Sequence, residues 1–202
     1  MGIAEREVVH LVTQRMSANA SALLDDVIAY LNLLRDEEGL DITLHGIEPY
    51  LHGCLGAMLP YNIHTNALCL YAKQSLAVWK QCIACQPKVY ARCRQGSFFG
   101  VCWVGVSEFV VPIETIRSQT VGFLSVSGYA SDREKSVRRI RRVAVEYGLN
   151  ACEMVNILDQ RMKWTLPREE DIYTRVKPLA RMLTLLIHTL EEPCREDAAC
   201  SD

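Results

Sequence analysis

Apolar and polar residues alternate along this chain with two different periods, and the switches between them outline an α+β fold. From Met16, the residues Met16, Ala20, Leu23, Val27, Tyr30 and Leu34 recur at spacings of four and three, which predicts an apolar stripe along an amphipathic helix. Gly39 after Glu37-Glu38 predicts its stop. Leu40, Ile42 and Leu44 then alternate with Asp41 and Thr43, the two-residue period of a half-buried strand. His45-Gly46 predicts a turn, with a short second strand including Ile47 after it. Thr65 is the predicted N-cap of a helix with Leu68, Ala72, Leu76 and Trp79 on one face, and a short helix with Pro87 near its start is expected within Cys82–Gln95, ending around Gly96. Phe98–Val104, Ser107–Glu114 and Val121–Tyr129 read as three strands, antiparallel because the links are short.

The last third returns to the helical period. Ser131-x-x-Glu134 and Asn150-x-x-Glu153 have the capping-box pattern of helix starts, and Val137, Ile140, Ala144 and Tyr147 supply an apolar face that Gly148 ends. Thr165 and Pro167 open a third helix, striped by Ile172, Val176, Leu179, Leu183, Leu186 and Leu190, in which Pro178 is expected to introduce a kink. The division that follows is a helical segment at 1–38, a core at 39–130, C-terminal helices at 131–192, and a polar tail at 193–202 expected to be disordered.

Composition narrows the class. The chain has 202 residues, half of them apolar, enough for a real core, and its formal charge of −2 gives no bulk reason to bind nucleic acid or anionic membrane. One segment, Arg133 to Arg142, is strongly basic, but interleaved Val137 and Ile140 give it the ordinary amphipathic pattern of a solvated helix face. Positions 49 to 72 contain no Asp, Glu, Lys or Arg. Pro49, Gly53, Gly56, Pro60 and Asn62 interrupt that run, so it predicts a buried, loop-rich pocket wall rather than a membrane helix. The nine cysteines are odd in number and irregularly spaced, and the N-terminus is charged from Glu5 to Glu7, which predicts mostly free thiols and a cytoplasmic setting.

Specific motifs carry a resemblance. Glu38-Gly39-Leu40 precedes a strand, Cys69 stands near a helix start, Cys82 follows about a dozen residues on, and Cys102-Trp103-Val104-Gly105-Val106-Ser107-Glu108-Phe109 runs through to Pro112-Ile113 before Gly122-Phe123-Leu124. In this order the motifs resemble the PocR-type sensory domain of bacterial and archaeal signalling proteins over roughly residues 20 to 190. Two positions depart from that pattern: Trp103 stands where the family usually has histidine, and Val106 where it has leucine. An acidic residue that often follows the second cysteine is absent around Gln86 and Lys88. The resemblance implies a PAS-like antiparallel sheet with helices packed on it and helical N- and C-terminal extensions. It also implies a small-molecule ligand, with short diols among those expected for the family.

The residues that could carry chemistry follow. Cys82-Ile83-Ala84-Cys85, with Cys69 and Cys102, could form a metal or thiol-redox site, or could be small hydrophobes in a core. Glu108 sits in an apolar run, so it either faces a pocket with its charge compensated or points to solvent opposite Phe109. Trp103, Tyr61, Tyr50 and Phe98 could line an apolar cavity or simply pack, and His52 and His64 could bond a ligand oxygen or a loop backbone. Taken together, Cys69, Cys102, Trp103, Glu108, Tyr61 and His64 are the expected ligand-binding residues, and Cys69, Cys82, Cys85 and Cys102 the alternative metal set. The chain has no Gly-x-Ser-x-Gly, P-loop or dinucleotide fingerprint, so no enzyme is expected.

The expected function is a stand-alone small-molecule sensory domain. A small, largely apolar organic ligand would sit between the sheet and a helix over Thr65–Lys80, with no certain cofactor. The striped terminal helices would form a homodimer, and a separate transcriptional or kinase partner would receive the signal. The alternatives from other classes are a cysteine-based metal or redox sensor and a scaffolding domain without ligand.

Overall fold

A computed structural model describes residues 16–191. The first fifteen residues of the expected N-terminal segment and the expected disordered tail lie outside the described residues.

Helix α1, Ala18–Asn32, begins where Ser17 Oγ accepts from the Ala20 amide at 3.2 Å. It buries Ala20, Leu24, Val27 and Leu31, a stripe slightly rotated from the predicted one, so Leu23 and Tyr30 flank the contact rather than centre it. The helix widens into one π turn at Leu33–Glu37. Gly39 at φ +63° then reverses the chain, and the Leu40 amide bonds the Leu34 carbonyl at 3.0 Å.

Strand β1 is Asp41–His45. The expected second strand at Ile47 does not form, because the Ile47 carbonyl accepts from the Tyr50 and Leu51 amides and opens the short helix α2, Glu48–Leu51. A 3-10 turn at Gly56–Tyr61 follows, so half of the uncharged run buries Leu51, Leu55 and Met58 in the core instead of forming a pocket wall.

The next two helices divide differently from the prediction. Asn66, not Thr65, caps α3, Ala67–Ala72, with its Oδ1 accepting from the Cys69 amide at 2.9 Å. Helix α4 is Leu76–Cys93 and runs through Pro87, merging two expected elements. Pro87 lacks the amide that would bond the carbonyl of Ile83. Both residues are exposed, so water can serve that carbonyl.

Strands β2, Phe98–Val101, β3, Ser107–Glu114, and β4, Thr120–Tyr129, complete an antiparallel sheet in the order β1-β4-β3-β2. Strand β2 is three residues shorter than predicted because Gly105, at φ +113°, lets the chain turn: its amide bonds the Cys102 carbonyl, and the Cys102 amide bonds that of Val106. Helix α5, Arg133–Tyr147, is capped by Asp132 accepting from the Lys135 amide, not by Ser131, whose hydroxyl instead meets that of Ser107 at 3.0 Å. Gly148 at φ +67° ends α5, and Asn150 caps α6, Ala151–Arg161, both as predicted. Helix α7, Glu169–Glu191, is one continuous helix through Pro178.

The result is α+β, an open four-stranded antiparallel sheet with helices packed around it, consistent with the PAS-like arrangement. One sheet face carries Ile42, Leu44, Phe109, Val111, Ile113, Leu124 and Val126, which share a single core with α1 and α7. All six residues of the predicted α7 stripe are buried there, each worth about 1.5–3 kcal/mol. The chain's own sheet and α1 thus cover the stripe on which the homodimer was expected to form. Helices α5 and α6 close a second core with Leu68, Val104, Val106 and Ala130. Among the described residues no helix is long and apolar enough to cross a membrane.

Candidate functional site

The opposite face of the sheet is polar yet covered. Strand alternation puts Asp41, Thr43 and His45 of β1, Ser125 and Ser127 of β4, and Glu108 of β3 on this side. All but Asp41 are buried. Glu108 stands where the register shifts: Ser107 pairs with Tyr129 but Phe109 with Val126, so β4 has one extra residue there, beside Gly128 at φ +95°. Such a bulge re-aims the side chains next to it.

Between this face and α4 lies a cavity of about 650 Å³. Its floor is a hydrogen-bonded chain. Ser125 Oγ donates to Glu108 Oε2 at 2.7 Å, and His64 Nε2 lies 3.1 Å from Ser125 Oγ and 3.7 Å from Glu108 Oε2. The single Ser125 proton is committed to the carboxylate, so His64 is the donor to Ser125 and its Nε2 bears hydrogen. In this direction the Ser125 hydrogen goes to the Glu108 carboxylate and not to His64. Beside it, His45 Nδ1 accepts from Gln86 Nε2 at 3.1 Å, and the two histidine rings meet edge to face at 5.3 Å. Thr43 Oγ1, on the same face, has no hydrogen-bond partner among the described residues.

Asp41 holds the cavity's edge in place. Its carboxylate accepts from the amide and hydroxyl of Thr65, from the amide and side chain of Asn66, and from Ser127 Oγ. The 64–66 strap is thereby fixed to the sheet, and His64 with it. Burial alone would raise the Asp41 pKa, but the bonds from Ser127, Thr65 and Asn66, aided by nearby His64, outweigh it and hold the carboxyl below its ordinary range. Burial lowers the proton affinity of His45 well below the usual histidine value, with further repulsion from His64 and Lys73. For His64, burial also wins over the attraction of Glu108, and the pKa is lowered. Both rings are therefore neutral near pH 7.

The walls are mostly apolar. Helix α4 contributes Trp79, Cys82, Ile83, Cys85 and Val89, and the β2–β3 hairpin contributes Cys102, Trp103 and Val104. This hairpin is braced from outside the cavity. Ser136 Oγ donates to the Gly105 carbonyl at 2.8 Å, Arg139 donates to the carbonyls of Val101 and Cys102, and the Trp103 ring stands edge-on to Tyr147 of α5 at 5.5 Å. Helix α4 is a loosely held roof, with only Val78 and Cys93 of its residues buried.

Of the residues expected at a ligand site, Cys69, Cys102, Trp103, Glu108 and His64 all line this cavity, as do His52 and Phe98. Tyr61 does not: its ring is in the main core and its hydroxyl donates to Asn32 Oδ1 at 2.6 Å. Tyr50 also lies elsewhere, bonding Glu191. Cys69, Cys82, Cys85 and Cys102 all face the cavity, but among the described residues no group of three or more His, Cys, Asp or Glu is arranged to hold an ion.

Burial raises the Cys69 and Cys82 thiol pKa values, the latter against an opposing Trp103 hydrogen bond, and pushes that of Cys102 up to about 12. Protonated thiols are poor ligands and poor nucleophiles. Sequence reasoning missed His45, Lys73, Gln86 and Ser125. The signal for two of them was there, since β1 and β4 each place polar residues at every second position.

Comparison of the chain with protein-family models, curated proteins and solved structures gave no significant match.

Proposed function

We propose that this chain is a small-molecule sensory domain of the PocR type, working in the cytoplasm without catalysis and signalling to a separate transcriptional or kinase partner. The observation that carries the reading is the 650 Å³ cavity, which falls within the size range of small-ligand sites and combines apolar walls with a few convergent polar groups. Five of the six residues singled out by motif and composition line it.

A ligand can shift a population only through different affinities for two arrangements. Helix α4 is the element suited to respond, because it roofs the cavity yet buries only Val78 and Cys93. Trp103 offers a route outward, touching the cavity on one side and Tyr147 of α5 on the other.

Mass spectrometry of small molecules released from the purified full chain, beside a Cys82→Trp, Cys85→Trp variant that narrows the cavity, tests this. The expected result is an organic molecule recovered from the wild type and lost in the folded variant. Equal recovery from both, or none that raises the melting temperature when added back, refutes it.

A further inference from the structure

Charge inside the cavity is unbalanced. Three cations line it, Lys73, Lys88 and Arg92, against a single carboxylate, Glu108. Glu108 already accepts from Ser125 Oγ. Arg92 is also engaged, lying 3.9 Å over the Phe98 ring and donating to the Phe99 carbonyl, and Lys88 is exposed. Lys73 is different: it is partly buried and its side chain makes no ion pair or hydrogen bond among the described residues.

Lys73 is the C-cap of α3, a place where a cation is favoured for structural reasons alone. Its charge nevertheless reaches the cavity floor, where it lowers the proton affinity of both His45 and His64. A second donor lines the same cavity. Because His45 Nδ1 accepts from Gln86, the neutral ring bears its hydrogen on Nε2. His45 is only 5% exposed overall, and it lines the cavity. An ammonium and an imidazole N–H donor lining one cavity match an acceptor-only, negatively charged group. A neutral diol would leave the ammonium uncompensated, and an amine would meet repulsion.

We infer that the cavity takes an organic monoanion whose carboxylate lies between Lys73 and His45 Nε2–H, with its apolar body against Trp79, Trp103 and Phe98. The inference rests on the small-molecule reading above and narrows its ligand class. Glu108, capped by Ser125, is then a wall element and not the ligand's partner.

The test is calorimetric titration of the full chain with matched acids, alcohols and amines of four to ten carbons, linear and phenyl-bearing. Wild type is compared with Lys73→Met and Lys73→Arg. The acids should bind about tenfold or more tighter than the matched alcohols. Lys73→Met should erase that preference while leaving alcohol affinity within about twofold, and Lys73→Arg should retain most of it. Alcohols or amines binding as well as acids, or acid affinity unchanged in Lys73→Met, overturns the anionic ligand and leaves the small-molecule reading standing. Binding by no member of any set overturns both. Circular dichroism of each variant checks the fold, and a misfolded Lys73→Met leaves the acid–alcohol comparison in wild type to decide.

Discussion

Replacing Asp41 with alanine isolates the anchor of the cavity's edge. Five donors converge on that carboxylate, two from Thr65, two from Asn66 and one from Ser127. They do not contribute equally. Thr65 is exposed, so water replaces Asp41 for both of its donors at little cost, and the Asn66 side chain keeps Ser127 Oγ as a partner at 3.0 Å. The loss therefore falls on the Asn66 amide and the Ser127 hydroxyl, the latter in a residue 3% exposed.

Each orphaned donor costs about 1–3 kcal/mol, so Asp41→Ala should destabilise by about 3 kcal/mol at pH 7. The contribution also has a pH signature. Its folded pKa is lowered from an ordinary 3.8, so the unfolded chain binds the proton first, and stability from this group is present above pH 3.8 and lost as pH falls through the folded value. Urea unfolding of wild type and variant at pH 7, 5 and 3 measures both. The gap should hold from pH 7 to 5 and narrow by pH 3. A gap under about 1 kcal/mol at pH 7, or one that stays undiminished at the acid end, refutes the accounting.

Three further perturbations probe other parts of the argument. His45 and His64 keep proton affinities below the ordinary 6.5, so the unfolded chain takes up protons first and stability should fall as pH drops below that value, by up to about 1.4 kcal/mol per pH unit for each ring. His45→Gln should flatten this slope between pH 6.5 and 5.5 in chemical denaturation, and an unaltered slope rules out His45 as its source. Gly122→Ala would set a Cβ 2.5 Å from the His45 carbonyl oxygen and 2.8 Å from Ile47 Cγ2, so it should cost about 2–3 kcal/mol in thermal unfolding; a variant as stable as wild type contradicts the tight β1–β4 crossing. Leu183→Ala removes a fully buried side chain from the α7 core and should cost about 2–5 kcal/mol with the mass in solution unchanged, whereas a drop in mass at unchanged stability would restore the dimer seam.

The strands and most helices were legible because their periodicity is backed by local chemistry. Ser107–Glu114 was read with its true ends, and Gly148 and Asn150 mark a stop and a start through a left-handed residue and a side-chain cap. Errors came where two local signals competed. Thr65 and Asn66 can both cap a helix, and only Asp41, twenty-four positions earlier, decides between them by occupying the Thr65 hydroxyl. Pro87 reads as a breaker, yet on the open side of α4 its missing bond is cheap. Tyr61 looked like a cavity aromatic from its neighbours in sequence, but the 3-10 turn rotates it into the core, where Asn32 takes its hydroxyl.

What the pattern could not state is which side of the sheet is wet. Alternation in β1 and β4 marks Asp41, Thr43, His45, Ser125 and Ser127 as one polar face, and polar faces of antiparallel sheets commonly meet solvent. Here α4 covers that face without filling the space beneath it. A fold selected only for stability would bury hydrophobes there, since each polar group held from water must be matched by a partner and gains little. The partners are largely present, but their geometry leaves the Lys73 side chain without an anion and Thr43 Oγ1 without a hydrogen-bond partner among the described residues. A loosely packed roof over an incompletely satisfied floor is stable enough to persist and has the most to gain from a complementary guest. That asymmetry, more than any single motif, is the physical case for the proposed ligand binding.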